Sequence, residues 1–221
     1  MGGLDLTNGF IVSGTDTEIG KTVFSAMLTL ALKGVYWKPI QSGLEELSDT
    51  ETVRRMTGLS LGHFLPEAYR LNTPASPHYS AELDDVEIDV SRLDPAKLEP
   101  EIANAPMIIE GAGGLLVPIT RELLTIDLFK SWNMPVILCA RTSLGTINHS
   151  LLSVEALKAR DMEIAGIVFI GDENPDNERT ITEFAGVTNL GRLPRLPELD
   201  AKNLRETFNN HFKLGEFGAF L

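Results

Sequence analysis

Cysteine is almost missing from this sequence of 221 residues: a single one, Cys139, sits in the apolar run Val136-Ile137-Leu138-Cys139-Ala140. One thiol excludes an intramolecular disulfide, and its apolar neighbours predict a buried thiol in a reducing compartment. Basic residues are also scarce, 19 Lys and Arg against 31 Asp and Glu, and the formal net charge of -12 argues against a nucleic-acid or anionic-membrane partner. Any anion site must therefore be built locally. No run of about eighteen apolar residues occurs, and the basic-then-apolar layout of a secretory signal is absent, so a cytoplasmic protein is expected. Met1-Gly2 does not read as an acylation signal, because Leu6 stands where Ser or Thr is required. Asn148-His149-Ser150 spells a glycosylation acceptor that carries no meaning without export. Internal repeats, low-complexity tracts and Gly/Ser linkers are missing too, which leaves residues 1–221 as one expected domain.

What is present begins with Gly14-Thr15-Asp16-Thr17-Glu18-Ile19-Gly20-Lys21-Thr22, placed between the apolar run Phe10-Ile11-Val12 and a helical pattern. This is the layout of a phosphate-binding loop. Backbone N–H groups wrap a polyphosphate, Lys21 adds a point charge, and the Thr22 hydroxyl is a ligand for the magnesium that accompanies a nucleotide. Five residues separate Gly14 from Gly20, one more than the strict pattern, so the loop is a variant. ATP is the expected reagent.

Short apolar, β-branched runs alternate with longer helical patterns, which predicts a three-layer α/β/α sandwich of the P-loop NTPase kind with a mostly parallel central sheet. Strands are expected at 9–13, 35–38, 107–110, 136–140, 165–170 and 188–190. Helices are expected at 21–32, 49–56, 124–132, 147–160, 178–184 and 201–212. Residues 63–100, rich in Pro, Asp and Glu and without strong periodicity, read as a long excursion at one edge of the sheet.

Ligands of open α/β sheets bind at the carboxyl ends of the strands. Four such ends carry polar chemistry. Besides the phosphate loop, these are Lys38-Pro39-Ile40-Gln41-Ser42-Gly43, Glu110-Gly111-Ala112-Gly113-Gly114 and Arg141-Thr142-Ser143-Leu144-Gly145. Lys38 is placed either to neutralise a transferring phosphoryl group or to hold an anionic acceptor, with a surface lysine as the plain alternative. Ser42 is a donor in the same turn, or a turn serine bonded to its own backbone. Glu110 suits magnesium, or caps the glycine turn; Asp49 is a second acid for the metal, or a helix cap. The start of the helix at Gly145-Thr146-Ile147-Asn148 offers free N–H groups to a carboxylate, and His149 beside it reads as structural as readily as a ligand.

Taken in order, these segments resemble the dethiobiotin synthetase family from about Gly9 to Pro197. The loop from Gly14 to Thr22 is similar to the family's extended phosphate loop, Trp37 to Gly43 to its catalytic-lysine segment, and Ser48-Asp49 to its magnesium-acid position. Ser76-Pro77-His78, Glu110 to Gly114 and Leu144 to His149 match the family's remaining motifs. The resemblance implies a cyclo-ligase that forms C–N bonds, closing the ureido ring on 7,8-diaminononanoate with CO2 (or bicarbonate), ATP and Mg2+ on the way to biotin. It also implies a homodimer. Nucleotide contacts are then expected from Glu18, Ile19, Gly20, Lys21, Thr22, Val23, Asp49, Glu110, Gly111, Ala112 and Gly113, with Gly171, Asp172, Pro194, Arg195 and Leu196 near the base. Substrate contacts are expected from Thr17, Lys38, Ser42 and, across the dimer, Gly145, Thr146, Ile147 and Asn148. Thr22, Asp49 and Glu110 would hold the metal, and Lys38 and Lys21 would be catalytic. The family carries an Asn that reads the base where this chain has Gly171-Asp172.

Two other readings share the loop. An amidotransferase of the cobyrinate synthetase type needs a glutaminase domain for which 221 residues leave no room. A MinD/ParA-like nucleotide switch needs a lysine early in the loop, where Thr15 and Asp16 stand.

Overall fold

A computed structural model describes residues 8–221; Met1, Gly2 and Leu6, weighed above as an acylation signal, lie outside them. In chain order the elements are β1 (Gly9–Gly14), α1 (Lys21–Leu32), β2 (Val35–Trp37), β3 (Ile40–Ser42), α2 (Asp49–Thr57), β4 (Tyr69–Leu71), α3 (Pro77–Leu83), β5 (Met107–Gly114) and α4 (Thr125–Trp132). There follow β6 (Val136–Arg141), α5 (Thr146–Lys158), β7 (Ile164–Ile170), α6 (Pro175–Ala185), β8 (Asn189–Leu193), α7 (Ala201–His211) and α8 (Leu214–Gly218).

Among the described residues the main sheet has six strands in the order β2-β5-β1-β6-β7-β8, paired parallel throughout. Alternate side chains of each central strand enter opposite cores, as the pleat demands. Phe10, Val12, Ile108, Ile137 and Cys139 pack under α1, α2, α7 and α8. Ile11, Ile109, Val136, Leu138 and Ala140 pack under α4, α5 and α6. Apolar runs without alternation in the sequence are thus explained by cover on both faces. Each fully buried large side chain contributes about 1.5–3 kcal/mol, so the two cores, not helix propensity, hold the layers. Cys139 is fully buried and free, and burial pushes its thiol well above the ordinary range.

The expected strands and helices are present with ends moved by a few residues. β8 runs on to Leu193 because Gly191 and Arg192 do not interrupt backbone pairing, and α6 starts earlier, at Pro175, with the Asn174 side chain accepting from Asn177 N. The excursion at 63–100 is more ordered than its composition suggests. It contributes β4, which pairs parallel with β3 in a separate two-stranded sheet, and α3. Tyr69, Leu71, Ala81, Ile88 and Leu93 from this stretch share a core with Trp37 and Ile109. A three-residue strand is too short to show a period in sequence, which is why β3 and β4 are not legible there.

The order of strands puts β1 between β5 and β6, where the chain's crossovers diverge to the two halves of the sheet. A crevice forms at the carboxyl end of β1, and the phosphate loop leaves the sheet there.

Candidate active site

The loop from Gly14 to Gly20 arches tightly over the end of β1. A Cβ on Gly14 would stand 2.5 Å from Ile19 Cδ1 and 3.0 Å from the Asp16 carbonyl oxygen, so a larger residue would displace the Ile19 side chain and press on the backbone of the arch. Gly20 has φ 97, a left-handed conformation natural to glycine, and turns the chain into α1 without a side-chain cap. The first-turn N–H groups of α1 therefore face the crevice with no side-chain acceptor of their own. Three contacts brace the arch: Thr15 N donates to Cys139 O (3.0 Å), Lys21 Nζ to Asp16 O (2.8 Å) and Arg141 Nη2 to Thr17 O (2.9 Å).

A polar cluster lies beside the loop. The Thr22 hydroxyl is 3.0 Å from Asp49 Oδ1 and 2.9 Å from Glu110 Oε1 and donates to one or the other. Lys38 Nζ is 2.8 Å from Asp49 Oδ2, 3.2 Å from Glu110 Oε1 and 3.2 Å from the Gly111 carbonyl oxygen. Tyr36 donates its phenol to Glu110 Oε2 at 2.9 Å. Gln41 Oε1 accepts from Asp49 N at 2.9 Å and so sets the start of α2, which is further closed by a capping box between Ser48 and Glu51. Such a cap is worth about 1 kcal/mol, and here it also fixes where Asp49 points.

Lys38 and Glu110 are 5% and 1% exposed, and a buried ion group without partners is not tolerated. Burial by itself would lower the Lys38 ammonium, but Glu110 and Asp49 outweigh it and hold the group above the ordinary lysine value. For Asp49, burial is the largest influence and acts upward, but Lys38, the Thr22 hydroxyl and Lys21 together outweigh it, so its carboxyl is held below the usual range. Lys21 goes the other way: burial lowers it, with Glu110 opposing. Burial first, then Glu110, raises the Tyr36 phenol well above its ordinary value, so it remains a donor. Signs follow for stability. The contribution of Asp49, lowered when folded, is complete above the ordinary carboxylate range and disappears as pH falls through its folded value; that of Lys38, raised when folded, is complete below the ordinary lysine range and disappears as pH rises through its own. Thermal melts of the metal-free protein should show Asp49→Asn melting a few degrees below the parent near pH 7, a gap of about 1 kcal/mol that closes below about pH 4. A gap unchanged from pH 7 to 3 would contradict this assignment.

Three cavities meet at this edge. One of about 490 Å3 runs along the loop past Gly20, Lys21 and Thr22 to Lys38, Asp49, Glu110 and Gly113. A second, about 510 Å3, continues from Thr17, Lys38 and Ser42 to Pro74, Ser76 and Ala112. The third, about 550 Å3, extends the other way from Glu18, Ile19 and Val23 between Gly171, Asp172, Pro194, Arg195 and Leu196. The residues singled out in sequence thus come together from β1, β2, β5, β7 and β8, with Gly111 joined to Lys38 through its carbonyl oxygen. Ser42 Oγ is buried and has no hydrogen-bond partner among the described residues, so its donor is open to a ligand in the second cavity. Gly145, Thr146, Ile147 and Asn148 start α5 at the same edge but line none of these cavities; Thr146 is buried and Leu144 beside it is fully exposed.

Sequence reasoning gave no role to Tyr36, Gln41, Arg141 or Asn174. Asn174 lines the third cavity, where the resemblance led one to look for an Asn, but its side chain is engaged, donating to Thr142 O and accepting from Asn177 N as the cap of α6. The Asn-Pro pair at 174–175 is the signal that could have revealed that cap. Tyr36 reads only as a core aromatic.

A site with two buried lysines, two carboxylates and a hydroxyl at the mouth of a phosphate loop can bind a nucleoside triphosphate and hold an anionic acceptor beside it. Comparison with known proteins is specific about which enzyme does so. A family model described as an AAA domain matches residues 8–203. The chain is 59% identical over 208 residues to the ATP-dependent dethiobiotin synthetase BioD of Agrobacterium fabrum, covering 94% of this chain and 96% of the relative. The chain belongs to the dethiobiotin synthetase family. The namesake proteins of Brucella anthropi (57% identical, 95% of this chain and 97% of that one) and Rhodopseudomonas palustris BisA53 (56%, 94% and 95%) agree. Among solved structures, a ParA family ATPase from Chlorobium tepidum covers 90% of this chain and 98% of its own with a TM-score of 0.54 at 11% identity. The MinC:MinD cell division complex of Aquifex aeolicus gives a TM-score of 0.55 at 11% identity, with 90% and 86% covered. Those two share the fold, whereas dethiobiotin synthetases share the sequence, so the synthetase reading holds over the nucleotide-switch reading. The protein is an ATP-dependent ligase of that family. No helix among the described residues is long and apolar enough to cross a membrane.

Proposed function

We propose that this chain, one domain over residues 1–221, converts 7,8-diaminononanoate, CO2 and ATP into dethiobiotin, ADP and phosphate. The observation that supports this best is the continuity of the first two cavities through Lys38, Ser42 and Asp49. It brings the end of a triphosphate and a second ligand together over one buried ammonium.

In this reading one amine of the substrate takes up CO2 to form a carbamate. A carbamate oxygen attacks the terminal phosphorus of ATP, the bond to ADP breaks, and a carbamic-phosphoric anhydride results. The second amine then attacks the carbonyl carbon; phosphate leaves, a proton is released, and the ring is closed. Lys21, together with the N–H groups of the loop and of α1, binds the phosphates, and Lys38 and Ser42 orient the carbamate while Lys38 offsets the charge that builds up on the transferring group. Thr17 lines the substrate side and Glu18, Ile19 and Val23 the nucleotide side.

Thr22, Asp49 and Glu110 suit Mg2+, because the Thr22 hydroxyl stands within 3.0 Å of both carboxylates on the wall of the phosphate cavity and all three offer hard oxygens. Bound there, the ion would neutralise phosphate charge. The proposal extends to a homodimer in which Gly145, Thr146, Ile147 and Asn148 meet the carboxylate of the substrate held by the partner, in line with the exposure of Leu144 and with a helix start that lines none of the three cavities above. A cytoplasmic setting suits the free, buried Cys139.

Incubation with diamine, bicarbonate and ATP should yield dethiobiotin by mass, with ATP hydrolysis dependent on both the diamine and bicarbonate. Hydrolysis that ignores the diamine and responds to DNA or vesicles instead would favour a switch ATPase and end this reading.

A further inference from the structure

We infer that Tyr36 is a positioning residue for the metal-facing side of the site, its hydroxyl holding Glu110 so that Oε1 is presented to Thr22 and Asp49. The inference rests on the proposed reading of Thr22, Asp49 and Glu110 as the Mg2+ ligands.

Three observations carry it. Among the described residues no group of three or more His, Cys, Asp and Glu is placed to hold a metal, so the ion would depend on two carboxylates and a hydroxyl. With so few ligands the aim of each one counts. Next, the two oxygens of Glu110 have separate duties: Oε1 is 2.9 Å from the Thr22 hydroxyl and 3.2 Å from Lys38 Nζ, while Oε2 accepts from the Tyr36 phenol at 2.9 Å. The terminal torsion of a glutamate is broad and two-fold, and a donor fixed behind Oε2 is what selects one orientation. Finally, Tyr36 is fully buried in the core under α1 and α2, where Phe would pack as well without a hydroxyl to satisfy. The hydrogen bond of that hydroxyl is to Glu110, so its use lies in the carboxylate rather than in packing.

Strand register explains how a core aromatic reaches the site. Tyr36 of β2 stands opposite Ile108 of β5, and Glu110 follows two residues later on the same face. The phenol spans that step.

Tyr36→Phe keeps the ring and deletes the donor. In titrations of the full-length protein with Mn2+ and ADP, followed by electron paramagnetic resonance, Tyr36→Phe should weaken Mn2+ binding roughly tenfold. ADP binding in EDTA should stay within about twofold of the parent, and the Mg2+ concentration for half-maximal turnover should rise while kcat at saturating Mg2+ largely recovers. Unchanged Mn2+ affinity in Tyr36→Phe, with Glu110→Gln strongly weakened, would overturn the inference and leave the metal reading intact. Should Glu110→Gln also keep the parent's affinity, the metal reading itself falls and takes this inference with it. An equal loss of ADP affinity in EDTA would mean that the hydroxyl only supports the fold, and would likewise overturn it.

Discussion

Lys38→Ala should slow ring closure by about three orders of magnitude while leaving the affinity for MgATP within a few-fold of the parent. Lys38 lines both the phosphate cavity and the adjoining one, and its ammonium is nearly sealed from solvent, so bulk water cannot replace its charge. Removing a pre-placed donor from such a site typically costs a factor of about 100 to 1,000, and here the donor also offsets phosphoryl charge. Affinity for the metal nucleotide is spared for a geometric reason. Lys38 sits 2.8 Å from Asp49 and 3.2 Å from Glu110, so its loss frees both acids for a cation instead of removing a ligand. The same loss leaves two neighbouring carboxylates without their shared cation, and the metal-free variant should melt lower, with added Mg2+ recovering much of the difference. Lys38→Arg keeps the charge but spreads it over a planar fork, so only partial turnover is expected. Single-turnover rates at saturating Mg2+ and ATP provide the check, and near-parental turnover in Lys38→Ala would remove this residue from the chemistry.

Lys21→Ala should fail earlier in the cycle, weakening ATP binding on the order of 100-fold, because a charge-assisted contact to phosphate in a buried setting is worth about 2–3 kcal/mol. Lys21 is the first residue of α1, is 6% exposed, and has its ammonium tied to the Asp16 carbonyl oxygen within the loop. That contact holds the arch as well as the charge, so Lys21→Ala loosens both. The two lysines therefore separate in kinetics: Lys21 mainly in the dissociation constant and KM for ATP, Lys38 mainly in kcat. Superimposable ATP titrations by calorimetry for Lys21→Ala and the parent would mean that Gly14 to Thr22 is no phosphate loop.

Much of the site is legible in the sequence because its chemistry is local. Gly14, Gly20, Lys21 and Thr22 sit within one turn, and the loop works by its own backbone geometry, so spacing alone points to phosphate. Lys38 and Glu110 are visible for a related reason: each is a charged residue that ends an apolar run, and strand ends of a parallel sheet face the ligand. Asp49 is harder, since an acid in a first helical turn is common; the bonds from Thr22 and Lys38 are what separate it from an ordinary cap. Gln41 looks like turn filler until its side chain is seen holding the backbone of Asp49. Arg141 looks like a strand-end cation until it is seen bracing Thr17.

By itself the sequence determined the parallel, doubly covered sheet, the phosphate loop and the family, since apolar periodicity and short motifs are properties of neighbouring residues. Only tertiary structure decided the partnerships: that Lys38 is shared by Asp49 and Glu110, that Tyr36 stands behind Glu110, and that 69–71 joins 40–42 in a small second sheet. Register between distant strands sets those contacts, and register is chosen by the whole core packing at once, not by any segment alone.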